Sequence, residues 1–284
     1  MGFDPRSRLL VVGDDTGLVT LVDSDRRRVI RRLRAGRGPV RTPGFSADGR
    51  FMVTGSDAND REDGVVRLWA LPSGHPVGGP WHYPGVSDVS LSPNGRTLAI
   101  TGGMDPTDPD KGVVEIVDAA THRRRTSLPQ TETVTDLARF TPDGRFVVAG
   151  SWKGWARLWS TKTWKPASRT FVGHAGRVEW ESISPDGRTL ATGGPEGAIR
   201  LWDLPTQRPL GAPLPALPNH EAVPQFTPDG KYLFVITDAG RAYRWDMRTT
   251  SWTQHACDVA GRTLTRSEWQ AALPDRAYAP ACTR

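Results

Sequence analysis

The residues that could do chemistry are few, and the first to weigh are carboxylates. Asp57-Ala58-Asn59-Asp60-Arg61-Glu62-Asp63 carries four in seven residues, and Met104 to Lys111 adds Asp105, Asp108 and Asp110. Clustered carboxylates supply hard oxygen ligands of the kind Ca²⁺ takes. The spacing does not make an EF-hand loop, because Glu62 stands where that loop needs Gly; solvated acidic turns are the plainer reading. The six His are dispersed, and there is no His-Glu-x-x-His pair, Gly-x-Ser-x-Gly elbow or phosphate-cradling Gly-x-x-x-x-Gly-Lys-Ser/Thr loop. No catalytic residue, cofactor site or metal ligand set is therefore named, and an enzyme is not expected.

Aromatic and basic side chains are the next candidates, and they suggest binding rather than turnover. Tryptophan is over-used, 11 against 4 Tyr. Trp152, Lys153 and Trp155 fall in one short turn, Trp81-His82-Tyr83 in a junction, and Trp180 early in a strand. Exposed aromatics of this kind anchor protein partners; packed between elements they are simply core. Eight Arg lie between Arg26 and Arg41, among them Arg26, Arg27, Arg28, Arg31, Arg32 and Arg34, and Arg123-Arg124-Arg125 forms a second run. With those eleven set aside, the formal charge of +6 becomes 26 basic against 31 acidic groups. Positive charge is thus local, and diffuse attraction to phosphate is not a property of the whole surface. The first run has no interleaved aromatics for base stacking. On an outer strand its charge discourages edge-to-edge pairing; nucleic acid or an acidic surface is the competing use.

The elements that must position these residues are announced by turns. Ala47-Asp48-Gly49, Pro93-Asn94-Gly95, Pro142-Asp143-Gly144, Pro185-Asp186-Gly187 and Pro228-Asp229-Gly230 recur every 43 to 49 residues, and Asp4-Pro5-Arg6-Ser7 is a worn sixth copy. Pro presets φ, Asp or Asn bonds locally, and Gly takes the left-handed conformation that closes a hairpin. After each turn comes an apolar strand, then a second strand ending in Leu-Val-Asp (21–23), Leu-Trp-Ala (68–70), Ile-Val-Asp (116–118), Leu-Trp-Ser (158–160), Leu-Trp-Asp (201–203) or Arg-Trp-Asp (244–246). A more polar third strand is expected after each, and a short one returns to the next turn. Gly and Pro make up 54 of 284 residues, which fits many short strands and excludes a helical bundle. No segment approaches the ~18–20 apolar residues of a membrane span.

Six such units, over about 250 residues, resemble the WD40-repeat family. The resemblance implies an all-β propeller of four-stranded blades around a central channel. The units are 1–38, 39–82, 83–130, 131–174, 175–218 and 219–253. The first has only Gly2-Phe3-Asp4 for an inner strand, so the chain is either part of a larger propeller or a slightly open six-unit ring. In this frame the two acidic stretches replace the same inter-strand turn in adjacent blades and, with Trp152 and Trp155, emerge on one face. The family's His–Ser/Thr–Asp–Trp network is worn. Gly173-His174 keeps the Gly-His pair with Glu196 as its acid, and His82 and His174 are assigned to cap positions. Arg37 stands where the His partnering Asp63 belongs, and Lys111, Lys153 and Ala239 occupy other acid positions. Packing is expected to hold most blades.

Residues 254–284 leave the repeat as a capping tail. Thr265-x-x-Glu268 is a capping box that starts a short helix near 265–273, and Trp269 is expected to pack on the last blade. The tail resembles one that closes many bacterial WD40 proteins with an NTPase, kinase or protease head. Cys257 and Cys282 are either buried thiols or a disulfide, which would add roughly 3 kcal/mol by limiting the unfolded chain. His255 and Cys257 offer too few ligands for zinc. The expected function is a non-catalytic protein-interaction scaffold or sensor module, cytoplasmic, off the membrane, with nucleic acid not the expected partner. The alternatives are nucleic-acid or acidic-surface binding through Arg26–Arg41, and a metal-dependent propeller hydrolase. The sequence leaves the partner and the oligomeric state open.

Overall fold

The computed structural model describes residues 2–4, 9–40, 43–56, 64–83, 85–105, 108–128, 137–167, 169–272, 277–278 and 282. The five turn signatures from Ala47 onward build the same hairpin, while residues 5–8 of the worn copy lie outside the described residues. In Ser46-Ala47-Asp48-Gly49 the Ser46 hydroxyl donates to Asp48 Oδ1 (2.6 Å), the Arg50 amide donates to the same oxygen (3.1 Å), and the Phe51 amide donates back to Ser46 Oγ (3.0 Å). Ser92/Asn94, Thr141/Asp143, Ser184/Asp186 and Thr227/Asp229 repeat this arrangement. The full turn signature is therefore Ser/Thr-x-Asp/Asn-Gly, with the hydroxyl closing the loop.

Six antiparallel sheets follow, as expected of an all-β propeller. Blade one comprises Gly2–Phe3, Leu9–Gly13, Leu18–Asp23 and Arg28–Arg34. Blade two comprises Gly44–Phe45, Phe51–Ser56 and Val65–Ala70, with an outer edge in two pieces, His75–Pro76 and Trp81–His82. Blade three comprises Asp88–Leu91, Thr97–Asp105, Asp108–Asp118 and Arg124–Ser127; blade four, Ala138–Phe140, Phe146–Gly150, Trp155–Ser160 and Phe171–Val172. Blade five comprises Trp180–Ile183, Thr189–Gly193 and Ala198–Asp203, with Arg208–Pro209 and Leu214–Pro215 outside. Blade six has three strands, Ala222–Phe226, Tyr232–Thr237 and Ala242–Asp246. The expected fourth strand is replaced there by a helix, α1 (Thr249–Ala260), which begins inside the unit assigned to 253.

Five apolar cores join the blades in series, because alternate residues of each sheet face opposite neighbours. Met52 and Trp69 reach back to Leu9, Val11, Val19 and Leu21 of blade one. Trp159 sits with Val147 and Ala149 against Ala99, Val114 and Ile116 of blade three, and Trp202 meets Val148 and Leu158 of blade four. The forward-facing positions Val53, Ala99, Val148 and Ala191 are fully buried, whereas their counterpart in blade six, Phe234, is 39% exposed. Tight approach shows at Gly193: an added Cβ would lie 2.1 Å from the Ala222 carbonyl oxygen of blade six. Blade six carries Ile236, 50% exposed, at the equivalent place. Among the described residues no apolar core joins blades six and one.

The tail closes on itself. Cys257 and Cys282 form a disulfide with their Cα atoms 5.4 Å apart. The capping box forms: the Thr265 amide donates to Glu268 Oε2 (2.8 Å) and the Glu268 amide to Thr265 Oγ1 (3.3 Å), starting α2 (Arg266–Ala272). Within the tail Trp269 stacks edge-on against Tyr278, at 5.8 Å between centroids. Among the described residues no helix is long and apolar enough to cross a membrane.

Candidate functional site

The aromatic candidates separate once packed. Trp81 is half-buried on the core between blades two and three, with its indole N–H donating to His122 Nε2; burial lowers the pKa of that imidazole. Tyr83 packs on the same core, and burial together with the neighbouring Glu115 carboxylate raises its phenol well above the usual range. Trp155 is not an exposed anchor but packs half-buried on the core between blades three and four. Trp180 is half-buried, with its indole nitrogen buried away from any acceptor. His82 is exposed and pairs with Val65 on an outer strand, the place Val172 holds opposite Trp155. It therefore does not occupy the cap position, and the residue aligned with His174 is Pro84, outside the described residues. Trp81–Tyr83 belong to the junction of blades two and three, and Trp152 and Lys153 to that of blades four and five; Trp180 stands opposite Gly193, on the face of blade five turned toward blade six.

At this second junction Trp152 is 42% exposed, and the Arg177 guanidinium lies 5.1 Å above its ring. Arg177 in turn pairs with Glu179 at 2.6 Å. The turn carrying Trp152 and Lys153 is fixed by local bonds: the Gly154 amide donates to Ser151 O (3.1 Å), and the Val178 amide donates to the same oxygen (2.9 Å). Gly154 has φ +77°, and a Cβ there would lie 2.6 Å from the Gly176 carbonyl oxygen, so only glycine lets the turn seat under the next blade. Below it His174 Nε2 meets Thr192 Oγ1 (2.7 Å), and the Trp202 indole N–H donates to that oxygen (2.8 Å). His174 Nδ1 meets Glu196, so Glu fills the acid role and this junction keeps the family network. In blade two the Trp69 indole N–H donates to Thr54 Oγ1 (2.9 Å), and the acid position, Asp63, lies outside the described residues.

A buried charge cluster escaped the sequence reading. Arg139 of blade four pairs with Asp88 of blade three, which is 1% exposed. Burial alone would lower the Arg139 pKa, but the Asp88 carboxylate holds it charged. Glu181, on the inner strand of blade five next to Trp180, is 8% exposed, with no hydrogen-bond partner for either carboxylate oxygen. Burial pushes its pKa well above the ordinary value; Arg139 opposes the shift and Asp88 adds to it. Each charge sits singly in an apolar strand, so sequence spacing carried no sign of the group. The folded protein binds a proton at Glu181 that the unfolded chain releases, so this group costs stability as pH rises above 4.5 toward the folded pKa. Glu181→Gln is accordingly expected to raise Tm at pH 8 by several degrees and to leave it unchanged near pH 4, as read by calorimetry. An equal shift at both pH values would exclude this origin.

The two Arg runs differ in their partners. Arg124 pairs with Glu115 (3.2 Å) and Arg125 with Asp118, whose pKa the guanidinium depresses. In the first run Arg26 pairs with Asp23 (3.7 Å), while Arg31 and Arg34 donate to the carbonyl oxygens of Ser73 and Thr16 (2.6 and 2.7 Å). The stretch 57–63 lies outside the described residues, as do the side chains of 103–111. Among the described residues no group of three or more His, Cys, Asp or Glu could hold a metal ion.

Comparison with known proteins agrees with this architecture. The WD40 model, "WD domain, G-beta repeat", matches residues 27–70, 78–107, 123–160 and 166–203, together just over half of the chain. The rat telomerase protein component 1 is 38% identical over 106 residues, covering 36% of this chain and 4% of that protein. The fission-yeast U3 small nucleolar RNA-associated protein 21 homolog is 30% identical over 95 residues (34% of this chain, 10% of that protein). The budding-yeast protein 21 is 30% identical over 101 residues (36% and 10%). The chain thus matches a tenth or less of the length of these relatives, all eukaryotic; the likeness to bacterial signalling proteins finds no support among them.

Proposed function

The chain belongs to the WD40-repeat family, and from that premise we propose that it is a non-catalytic platform that docks a protein partner at the junction of blades four and five. The observation that carries the reading is Trp152, an exposed indole held under Arg177 on a turn that Gly154 and Val178 lock to the next blade. A rigid amphipathic ring loses little entropy on binding, and such residues concentrate binding energy. Lys153, beside it, favours an acidic neighbour in the partner. Trp152→Ala is expected to weaken a captured partner by tenfold or more, read by titration, with Tm changed by no more than about 1 °C. Unchanged affinity would remove this junction as the docking site.

In this reading the platform acts in the cytoplasm, where the Cys257–Cys282 bond would not persist, and it senses or positions on behalf of an attached effector domain. A second reading, association with RNA-containing assemblies, draws on the names of the two yeast relatives and on the Arg26–Arg34 run. It predicts a steep fall of affinity with salt, since each phosphate contact releases counterions. A flat response between 50 and 300 mM salt would dispose of it.

A further inference from the structure

The outer edges of the blades are not alike. In blade two the edge is broken into His75–Pro76 and Trp81–His82, in blade five into Arg208–Pro209 and Leu214–Pro215, and in blade four it is two residues long. Short pieces and proline are how sheets blunt an edge that would otherwise pair with another chain. The edge of blade one is a single strand of seven residues, Arg28–Arg34, with no proline and one break in register at Ile30, and its stretch Arg31–Arg34 pairs without interruption. It ends its sheet, and among the described residues no further strand pairs with it. Six of its seven residues are exposed, including Val29 at 51% and Ile30 at 47%. The Ala35 amide donates inward to Gly17 O (2.9 Å). Because amides alternate along a strand, those of Arg34 and Arg32 point outward, toward an absent neighbour.

We propose that this edge takes an acidic extended segment of a protein partner as a fifth antiparallel or parallel strand. Backbone hydrogen bonds would supply affinity, and side-chain pockets and charge the selectivity. The charge argues for the sign: Arg28, Arg31, Arg32 and Arg34 line the strand, and neither Arg28 nor Arg32 has an ion pair among the described residues. The same charges repel a second copy of this strand, which excludes self-pairing and favours a partner carrying Glu or Asp at alternate positions. Val29 and Ile30 provide the apolar contact that a β-branched residue between those acids would cover. This surface is separate from the Trp152 junction, so either can fail without the other.

The test uses the full chain and a labelled seven-residue peptide of alternating Glu and Val. It is compared with the same peptide N-methylated at alternate amides, a Lys–Val peptide and a seven-nucleotide single-stranded RNA. The expected result is binding of the Glu–Val peptide that slows hydrogen exchange of the Arg32 and Arg34 amides. N-methylation and the R32E/R34E pair should each weaken it at least tenfold, and 300 mM salt several-fold. Equal binding of the N-methylated peptide would overturn strand addition, reducing the edge to an electrostatic surface. Tighter binding of the RNA than of the Glu–Val peptide would overturn the protein assignment. Arg32→Gln, which keeps a long polar side chain, guards against misfolding of the double variant: it should weaken the peptide a few-fold at unchanged Tm, and no weakening would also count against the proposal.

Discussion

Arg139→Ala is expected to destabilise the protein by about 3–5 kcal/mol, because removing one member of a buried pair strands the other in a low-dielectric site. The group that loses its cation is Asp88, at 1% exposure, and the substitution also removes the charge that opposes the raised pKa of Glu181. For a domain of this size that cost corresponds to a Tm lower by roughly 10 °C. The charge origin can be separated from lost packing. Arg139→Met with Asp88→Asn removes both charges while keeping much of the volume, and it should recover at least half of the loss. A double variant no more stable than Arg139→Ala would mean that the guanidinium acts by filling space.

Trp159→Ala is the second large effect, about 3–5 kcal/mol for a fully buried indole whose site cannot collapse. Trp159 is 0% exposed and is enclosed by Ala99, Val114, Ile116 and Leu128 of one blade and Val147 and Ala149 of the next. The repeat supplies its own control. Trp245 holds the same position in blade six but is only half-buried, because its own sheet stops at three strands. Trp245→Ala should therefore cost less than half as much. Equal costs, measured by denaturant titration, would contradict the serial-core description, in which burial and not residue type sets the value.

These contrasts mark what could be read from the sequence. The turn signature marked blades two to six because its chemistry is local: three or four neighbouring residues close each of those hairpins without help from the rest of the fold. The Thr265–Glu268 capping box announced α2 for the same reason. Helix α1 gave no such notice. Its N-cap, Arg248, makes no side-chain cap, and no acid lies in its first turn. Side chains positioned by neighbouring blades were harder still. Asp88 and Arg139 stand 51 residues apart and meet only when adjacent sheets pack. Trp152 and Trp155 are alike in sequence, flanking one turn, yet only the first faces solvent. Alternation told which residues share a face of a sheet, but not which face a neighbouring blade would cover.

The docking ledge at blades four and five is most directly examined by footprinting the intact protein bound to a captured partner. Hydroxyl-radical labelling followed by peptide mapping reads side-chain protection. Docking there predicts that Trp152 and the segment 176–178 lose reactivity on binding while Trp252, equally exposed on α1, keeps its own. Protection confined to the tail or to the opposite end of the blades, with Trp152 as reactive as in the free protein, would contradict it.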